Sequence, residues 1–144
     1  LEIRGNNGMS IKNELIEKIR SKTLTMGVCG LGYVGLPLAV DKAKHGFKTI
    51  GFDVQQEKVD LVNAGKNYIG DVVDADLQEL VAGGMLRATT DFSEVCNVDF
   101  IAICVPTPLD AHQQPDISYV RSSAEAIAKY LKKGTMVVLE SRST

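Results

Sequence analysis

The sequence predicts a doubly wound α/β domain, a parallel sheet with helices on both faces. Three observations predict it. Short apolar, β-rich runs alternate with amphipathic helical runs along the chain, and such alternation implies parallel strands joined by right-handed crossovers. The first of these runs leads directly into Gly30-Leu31-Gly32-Tyr33-Val34-Gly35. The stretch 99–105 is almost wholly apolar, as expected of a central strand buried on both faces.

The elements follow in order. Residues 1–8 mix Gly, Asn and charge without periodicity and read as a disordered leader or an expression remnant, with Met9 a candidate start. Residues 9–144 are then one domain carrying an extra N-terminal helix. That helix spans 10–21, with Ser10 as its N-cap and Ile11, Leu15, Ile16 and Ile19 on the face that packs on the domain's flank. Residues 24–29 form strand one. Residues 33–45 form a helix with Val34, Leu38 and Ala39 inward and Gly46 as its stop. Strand two, 48–52, ends on Asp53, and a helix over 55–64 closes at Gly65. Residues 66–73 read as a loop. Asp74 caps a helix through Val81, which Gly83-Gly84 end. A third strand at 86–89 and one helical turn at 92–96 precede the central strand. Asp116 caps a helix whose Ile117, Val120, Ala124, Ile127, Ala128 and Leu131 form one stripe. Gly134 stops it, and 135–139 is the last strand.

Composition narrows the function classes. The chain has 144 residues, 44% hydrophobic and 24% charged, which suits one domain with one core. A net charge of −2 gives no basic field for nucleic acid, and none is expected to bind. No run of about 18 uncharged apolar residues exists to span a membrane, and the N-terminus lacks the apolar core of a signal peptide, so a cytoplasmic location is expected. Cys29, Cys96 and Cys104 are too widely spaced for a zinc site or a redox pair and read as small hydrophobes of a reducing compartment. His45 and His112 stand alone and read as solvated surface residues.

The glycine segment carries the chemistry. A GxGxxG between an apolar strand and an amphipathic helix is the fingerprint of a Rossmann-type dinucleotide site. Gly30 lets the chain turn sharply, Gly32 keeps a Cβ out of the way of a pyrophosphate, and Gly35 lets the helix pack close to the sheet. The pyrophosphate would rest on backbone N–H groups at the helix N-terminus, those of Tyr33 and Val34 among them, while their side chains pack against neighbours. Asp53 lies 18 residues beyond Gly35. A carboxylate there accepts hydrogen bonds from a ribose diol and repels the 2′-phosphate of NADP, so the cofactor is expected to be NAD. None of Val54, Gln55, Gln56 or Glu57 is an arginine that would neutralise that phosphate. Asp53 could equally cap the next helix, or do both. Val105-Pro106-Thr107-Pro108 follows the central strand at the edge where open sheets bind ligands, with Thr107 held by flanking prolines. A stiff turn without a ligand is the alternative. Glu140-Ser141 reach the same edge.

Together, the run from Gly27 to Ala39, Ile50-Gly-Phe-Asp53, Ile103-Cys-Val-Pro-Thr-Pro-Leu109, Pro115-Asp-Ile-Ser-Tyr-Val120 and Val137-Val-Leu-Glu-Ser141 resemble the N-terminal NAD-binding domain of the UDP-glucose/GDP-mannose dehydrogenase family. The resemblance covers residues 20–141. Within 66–80, Tyr68-Ile69 looks most like the branch acting on UDP-N-acetylhexosamines. The resemblance implies oxidation of the C6 alcohol of a nucleotide sugar to a carboxylate with two NAD, through a cysteine-bound thiohemiacetal and thioester. It implies NAD contacts at Gly30, Gly32, Tyr33, Val34, Gly35, Asp53, Thr107 and Ser141, a role in polysaccharide precursor synthesis, and a homo-oligomer when full length. The family's nucleophilic cysteine and lysine lie beyond this domain and none of the three cysteines here matches its motif, so the substrate domain is absent and the chain alone should bind NAD but turn nothing over. Where the family continues from Glu-Ser into Thr-Thr-Tyr-Pro-Gly, this chain reads Arg142-Ser143-Thr144, and Thr144 is not assigned the catalytic role of the family's threonine. A stand-alone NAD-binding module and the cofactor domain of another β-hydroxyacid-type dehydrogenase are the alternatives.

Overall fold

A computed structural model of the chain describes residues 11–70 and 72–140. Helix α1 (Ile11–Ser21) precedes β1 (Met26–Cys29), α2 (Gly35–Lys44), β2 (Thr49–Phe52), α3 (Gln56–Asn63), α4 (Asp74–Ala82) and β3 (Leu86–Thr89). A 3₁₀ helix (Phe92–Asn97), β4 (Phe100–Ile103), α5 (Ser118–Tyr130) and β5 (Met136–Leu139) complete the order. The five strands form one parallel sheet in the order β3-β2-β1-β4-β5. The predicted α/β architecture is therefore the observed one. The chain winds outward from β1 to β3, returns to the middle as β4, and leaves β1 and β4 as neighbours whose following loops diverge. Such a reversal opens a crevice at the carboxyl ends of the strands.

Two apolar layers cover the sheet. Alternation along β1 sends Val28 into one cluster with Leu36, Ala39, Val59 and Leu77, and Cys29 into the other with Phe52, Val95, Ile101 and Ile127. The first layer seats α2, α3 and α4, and the second seats the 3₁₀ helix and α5. β1 and β2 are buried at every position, which explains why their sequences do not alternate.

Several local expectations change. The cap of α4 is Val73 and that of α5 is Ile117, neither with a side-chain cap bond. Asp116 sits one residue before its cap, and its carboxylate accepts the Ser118 N–H at 2.9 Å. The α5 stripe is only partly used. Ile127 is buried, while Ile117, Ala124, Ala128 and Leu131 are exposed, as are Met136, Val137 and Leu139 of β5. An apolar stripe is buried only where sheet lies beneath it, and β5 is the last strand among the described residues. The opposite edge is closed by a side chain: Asn63 donates to the Ala88 carbonyl at 2.9 Å and accepts the Ala88 N–H at 2.8 Å, standing in for a neighbouring strand.

Helix α1 is tied down by charge, while of its expected packing face Ile16 and Ile19 are exposed and Leu15 is half-buried. Ser10 lies outside the described residues. Lys18 Nζ reaches Asp99 Oδ1 at 2.8 Å, Lys132 Nζ reaches the same oxygen at 2.9 Å, and the Thr25 N–H donates to Oδ2 at 3.0 Å. Asp99 thereby ties α1, the entries of β1 and β4, and the turn before β5. Burial works to raise its carboxyl pKa, but the bonds from Lys18, Thr25 and Lys132 outweigh it and hold the group below its ordinary value of 3.8. A depressed carboxyl contributes stability above its unfolded value and loses it as pH falls through the folded one. Asp99→Asn is thus expected to lower unfolding free energy by about 1–3 kcal/mol at neutral pH. In urea titrations the deficit should shrink as pH drops below 3.8.

Candidate dinucleotide site

The crevice beyond β1 and β4 is a cleft of about 1120 Å³. One wall is the glycine turn from Gly30 to Val34, and another is Asp53 and Val54 at the end of β2. Cys104 to Pro108 and the near face of α5 complete it. The structure thus brings Gly30, Gly32, Tyr33, Val34, Asp53 and Thr107 to one place, although they span 78 positions of sequence. Thr107 is buried in the wall, while Pro106 is exposed. Ser141 lies outside the described residues, and Glu140 beside it lines the cleft.

The three motif glycines have different jobs. Gly30 has φ +95° and passes so close to β4 that a Cβ would lie 2.9 Å from the Cys104 carbonyl oxygen. A Cβ on Gly35, the first residue of α2, would lie 1.6 Å from the Gly30 carbonyl oxygen, a position no side chain can occupy. A Cβ on Gly32 would meet nothing within 4 Å. Two of the glycines are therefore required by the protein's own packing. The third faces the cleft, and its bareness serves nothing within the fold.

Between them, Leu31 is fully buried, its side chain lying over Gly51 of β2. Sequence reasoning passed over this residue, because a turn residue inside GxGxxG carries no periodicity to mark it as core. Asp53 reaches across from β2: Oδ2 accepts the Leu31 N–H at 2.9 Å, and Oδ1 accepts the Gln55 N–H at 2.9 Å. One bond per oxygen leaves acceptor capacity on each. Asp53 does not cap α3, whose N-cap is Gln55 without a side-chain cap bond, but it tethers the turn before that helix as well as the glycine turn.

The Tyr33 side chain, expected to pack against neighbours, is instead 53% exposed on the cleft; Val34 packs against the core as expected. Val54, 81% exposed, and Lys58 of α3 also line the cleft near Asp53. The lysine, five residues beyond Asp53, is a cation that the stretch Val54 to Glu57 lacks. Phe92, tilted against Phe52 with ring centroids 5.6 Å apart, lies on the same wall.

Two cysteines border the cleft, and neither is poised for nucleophilic work. Burial, opposed by a Ser123 hydrogen bond and reinforced by the charge of Asp53, pushes the Cys29 thiol up to about 11. Burial, then the charge of Glu140, pushes Cys104 up to about 12. A thiol so raised is almost wholly protonated at neutral pH. Cys96, expected to be a small hydrophobe, is exposed on the 3₁₀ helix, away from the cleft. His45 and His112 are exposed, as expected, and neither lines the cleft. Among the described residues no group of three or more His, Cys, Asp and Glu could hold a metal ion, and no helix is long and apolar enough to cross a membrane.

The difference among the glycines is measurable as stability. Gly35→Ala is expected to cost more than about 3 kcal/mol, because the new methyl has no room and the helix must move. Gly32→Ala should stay within about 0.5 kcal/mol of the parent. Thermal unfolding of the two variants distinguishes them.

Comparison with known proteins agrees with this geometry. Residues 24–144 match the sequence profile of the UDP-glucose/GDP-mannose dehydrogenase family, NAD binding domain. The NDP-N-acetyl-D-galactosaminuronic acid dehydrogenase of Ralstonia nicotianae is 45% identical over 123 residues, covering 83% of this chain and 28% of that protein. The UDP-N-acetyl-D-mannosamine dehydrogenase of Salmonella typhimurium is 42% identical over 120 residues, with the same two coverages. Among solved structures, the UDP-D-ManNAc dehydrogenase of Pyrococcus horikoshii superposes with a TM-score of 0.77 at 32% identity, covering 82% of this chain and 28% of that one. The chain thus spans little more than a quarter of the length of the relatives it matches. On both the profile and the identities, it belongs to the UDP-glucose/GDP-mannose dehydrogenase family and comprises that family's NAD binding domain.

Proposed function

We propose that this domain holds NAD for a nucleotide-sugar 6-dehydrogenase, and that the whole protein oxidises the C6 alcohol of a UDP-N-acetylhexosamine or a related UDP-sugar to the carboxylate. The observation that carries the reading is Gly32, a glycine with no packing role on the wall of the cleft. The backbone can approach a pyrophosphate closely only where no side chain intervenes. The N–H groups of Gly32, Tyr33 and Val34 lie just before α2, where free backbone donors and the helix dipole favour an anion.

In this assignment Asp53 takes the ribose diol with the acceptor capacity its two backbone bonds leave, and Gly30 and Gly35 shape the turn. Thr107 on the cleft wall is assigned as a further NAD contact, and Ser141, outside the described residues, keeps the same assignment. NAD, when bound, supplies a hydride acceptor. The residues of this domain hold the acceptor in a fixed place, and fixed geometry is what makes the transfer effectively unimolecular. The nucleophile is assigned to another part of the protein; Cys29 and Cys104 beside this cleft are buried, and burial raises both thiols. The acetamido-sugar preference rests on the names of the two relatives at 45% and 42% identity. A cytoplasmic enzyme feeding polysaccharide synthesis, assembled as a homo-oligomer, completes the proposal.

Calorimetric titration of the chain with NAD and with NADP tests the site. NAD should bind saturably, with NADP weaker by about tenfold or more through repulsion at Asp53. Asp53→Ala should erase that preference, and Gly32→Ala should weaken NAD at least about tenfold while leaving the melting temperature in place. Equal binding of both dinucleotides by the parent, or undiminished NAD binding by Gly32→Ala, contradicts the assignment.

A further inference from the structure

One residue of the glycine turn is gripped on three sides. The Leu31 side chain is sunk over Gly51, and its N–H is bound by Asp53. Its carbonyl accepts a hydrogen bond from Tyr68 Oη at 2.6 Å. Tyr68 belongs to neither the glycine motif nor a strand end. It comes from the connection between α3 and α4, 37 residues later in the chain. That connection is itself shaped by Asn67, whose Oδ1 accepts the Ile69 N–H at 2.8 Å and whose amide donates to the Val72 carbonyl. The tyrosine ring packs against the core cluster of α2 and α4.

The bond at Leu31 has a consequence one atom further on. A trans peptide is planar, with its C=O and N–H pointing in opposite directions. The carbonyl of Leu31 and the N–H of Gly32 share one peptide. A carbonyl held toward Tyr68 aims the Gly32 N–H the other way, and Gly32 is the residue whose Cα faces open space on the cleft wall. Burial, and then the charge of Asp53, raises the Tyr68 hydroxyl above the ordinary tyrosine range, so it stays protonated and able to donate.

We propose that Tyr68 is a positioning residue for the cofactor's pyrophosphate: its hydroxyl locks the Leu31–Gly32 peptide so that the Gly32 N–H is preset as an anion donor. Tyr68 touches no ligand itself. It removes the freedom of the turn to rotate that peptide before the cofactor arrives, and affinity is gained by cutting an ordering cost in advance. The inference rests on the reading of this cleft as the NAD site.

Tyr68→Phe keeps the ring and deletes the bond. Amide-shift titrations of the chain with NAD and with adenosine, which lacks the pyrophosphate, read the effect separately at the two ends. The expected result is an NAD affinity weakened about three- to tenfold, the size of one lost hydrogen bond. Adenosine should stay within about twofold of the parent, and the Gly32 amide resonance should move or broaden in the ligand-free variant. Unchanged NAD affinity, or equal losses for NAD and adenosine, overturns the proposal, the second outcome marking a general structural role. If Tyr68→Phe does not fold, tetrafluorotyrosine placed at position 68 keeps the ring and lowers the hydroxyl's pKa. NAD affinity should then fall with rising pH as that hydroxyl ionises, and a flat profile overturns the proposal. Failure of the parent chain to bind NAD sinks the site assignment itself, an outcome distinct from a parent that binds and a variant that binds equally.

Discussion

The structure hinges on how closely α2 approaches the turn that precedes it. With a hypothetical Cβ on Gly35 only 1.6 Å from the Gly30 oxygen, helix and turn are in backbone contact, and no other residue type fits. That contact sets the α2 N-terminus at the carboxyl end of β1, beside the gap between β1 and β4. From it follow the placement of α2 over the sheet and the burial of Leu36, Ala39 and Val40. The interior is nearly close-packed, so a backbone contact of this kind cannot be relaxed locally without moving the helix.

Around that junction the protein uses each anchor for more than one purpose. Asp53 joins the end of β2 to the turn after β1, and it is also the carboxylate assigned to the ribose diol. Leu31 contributes a fully buried side chain, worth about 1.5–3 kcal/mol, and at the same time fixes the backbone that must stay bare one residue later. Folding energy and pre-organisation of the site are the same interactions counted at different atoms. The far side of the sheet is built otherwise. Asp99 ties down an exposed N-terminal helix through charge, and the β5 edge keeps Met136, Val137 and Leu139 in solvent.

The fold and the centre of the site were legible in the sequence, because both depend on local patterns. Apolar runs for β1 and β4, glycines of positive φ just after α2, α3 and α4, and an acidic residue at the end of β2 all act through nearest neighbours, whereas α5 ends at Tyr130, four residues before the glycine expected to stop it. What escaped the sequence depends on distance along the chain. Nothing in a glycine-rich turn says that Leu31 is core, since the pocket that receives it is made by Gly51 on another strand. Nothing in residues 66–73 says that Tyr68 reaches back to Leu31, because a loop tyrosine has no period to betray its partner. The apolar stripe of α5 misled in the opposite sense: its spacing was right, but the described sheet ends beneath only part of it. The cap of α5 differs by one residue for a related reason, as a carboxylate can hold a turn from just outside the helix it introduces, whereas Asp74 is the first residue inside α4.

We propose that the glycine turn and Asp53 together form a preformed seat for a dinucleotide. The most direct test is a crystal structure of the chain grown with NAD. The expected result is a pyrophosphate against the backbone N–H groups of residues 32–34, a ribose diol hydrogen-bonded to Asp53, and a turn from Gly30 to Gly35 that keeps its backbone conformation. A dinucleotide seated elsewhere, or a turn that must rebuild to receive it, would contradict the account.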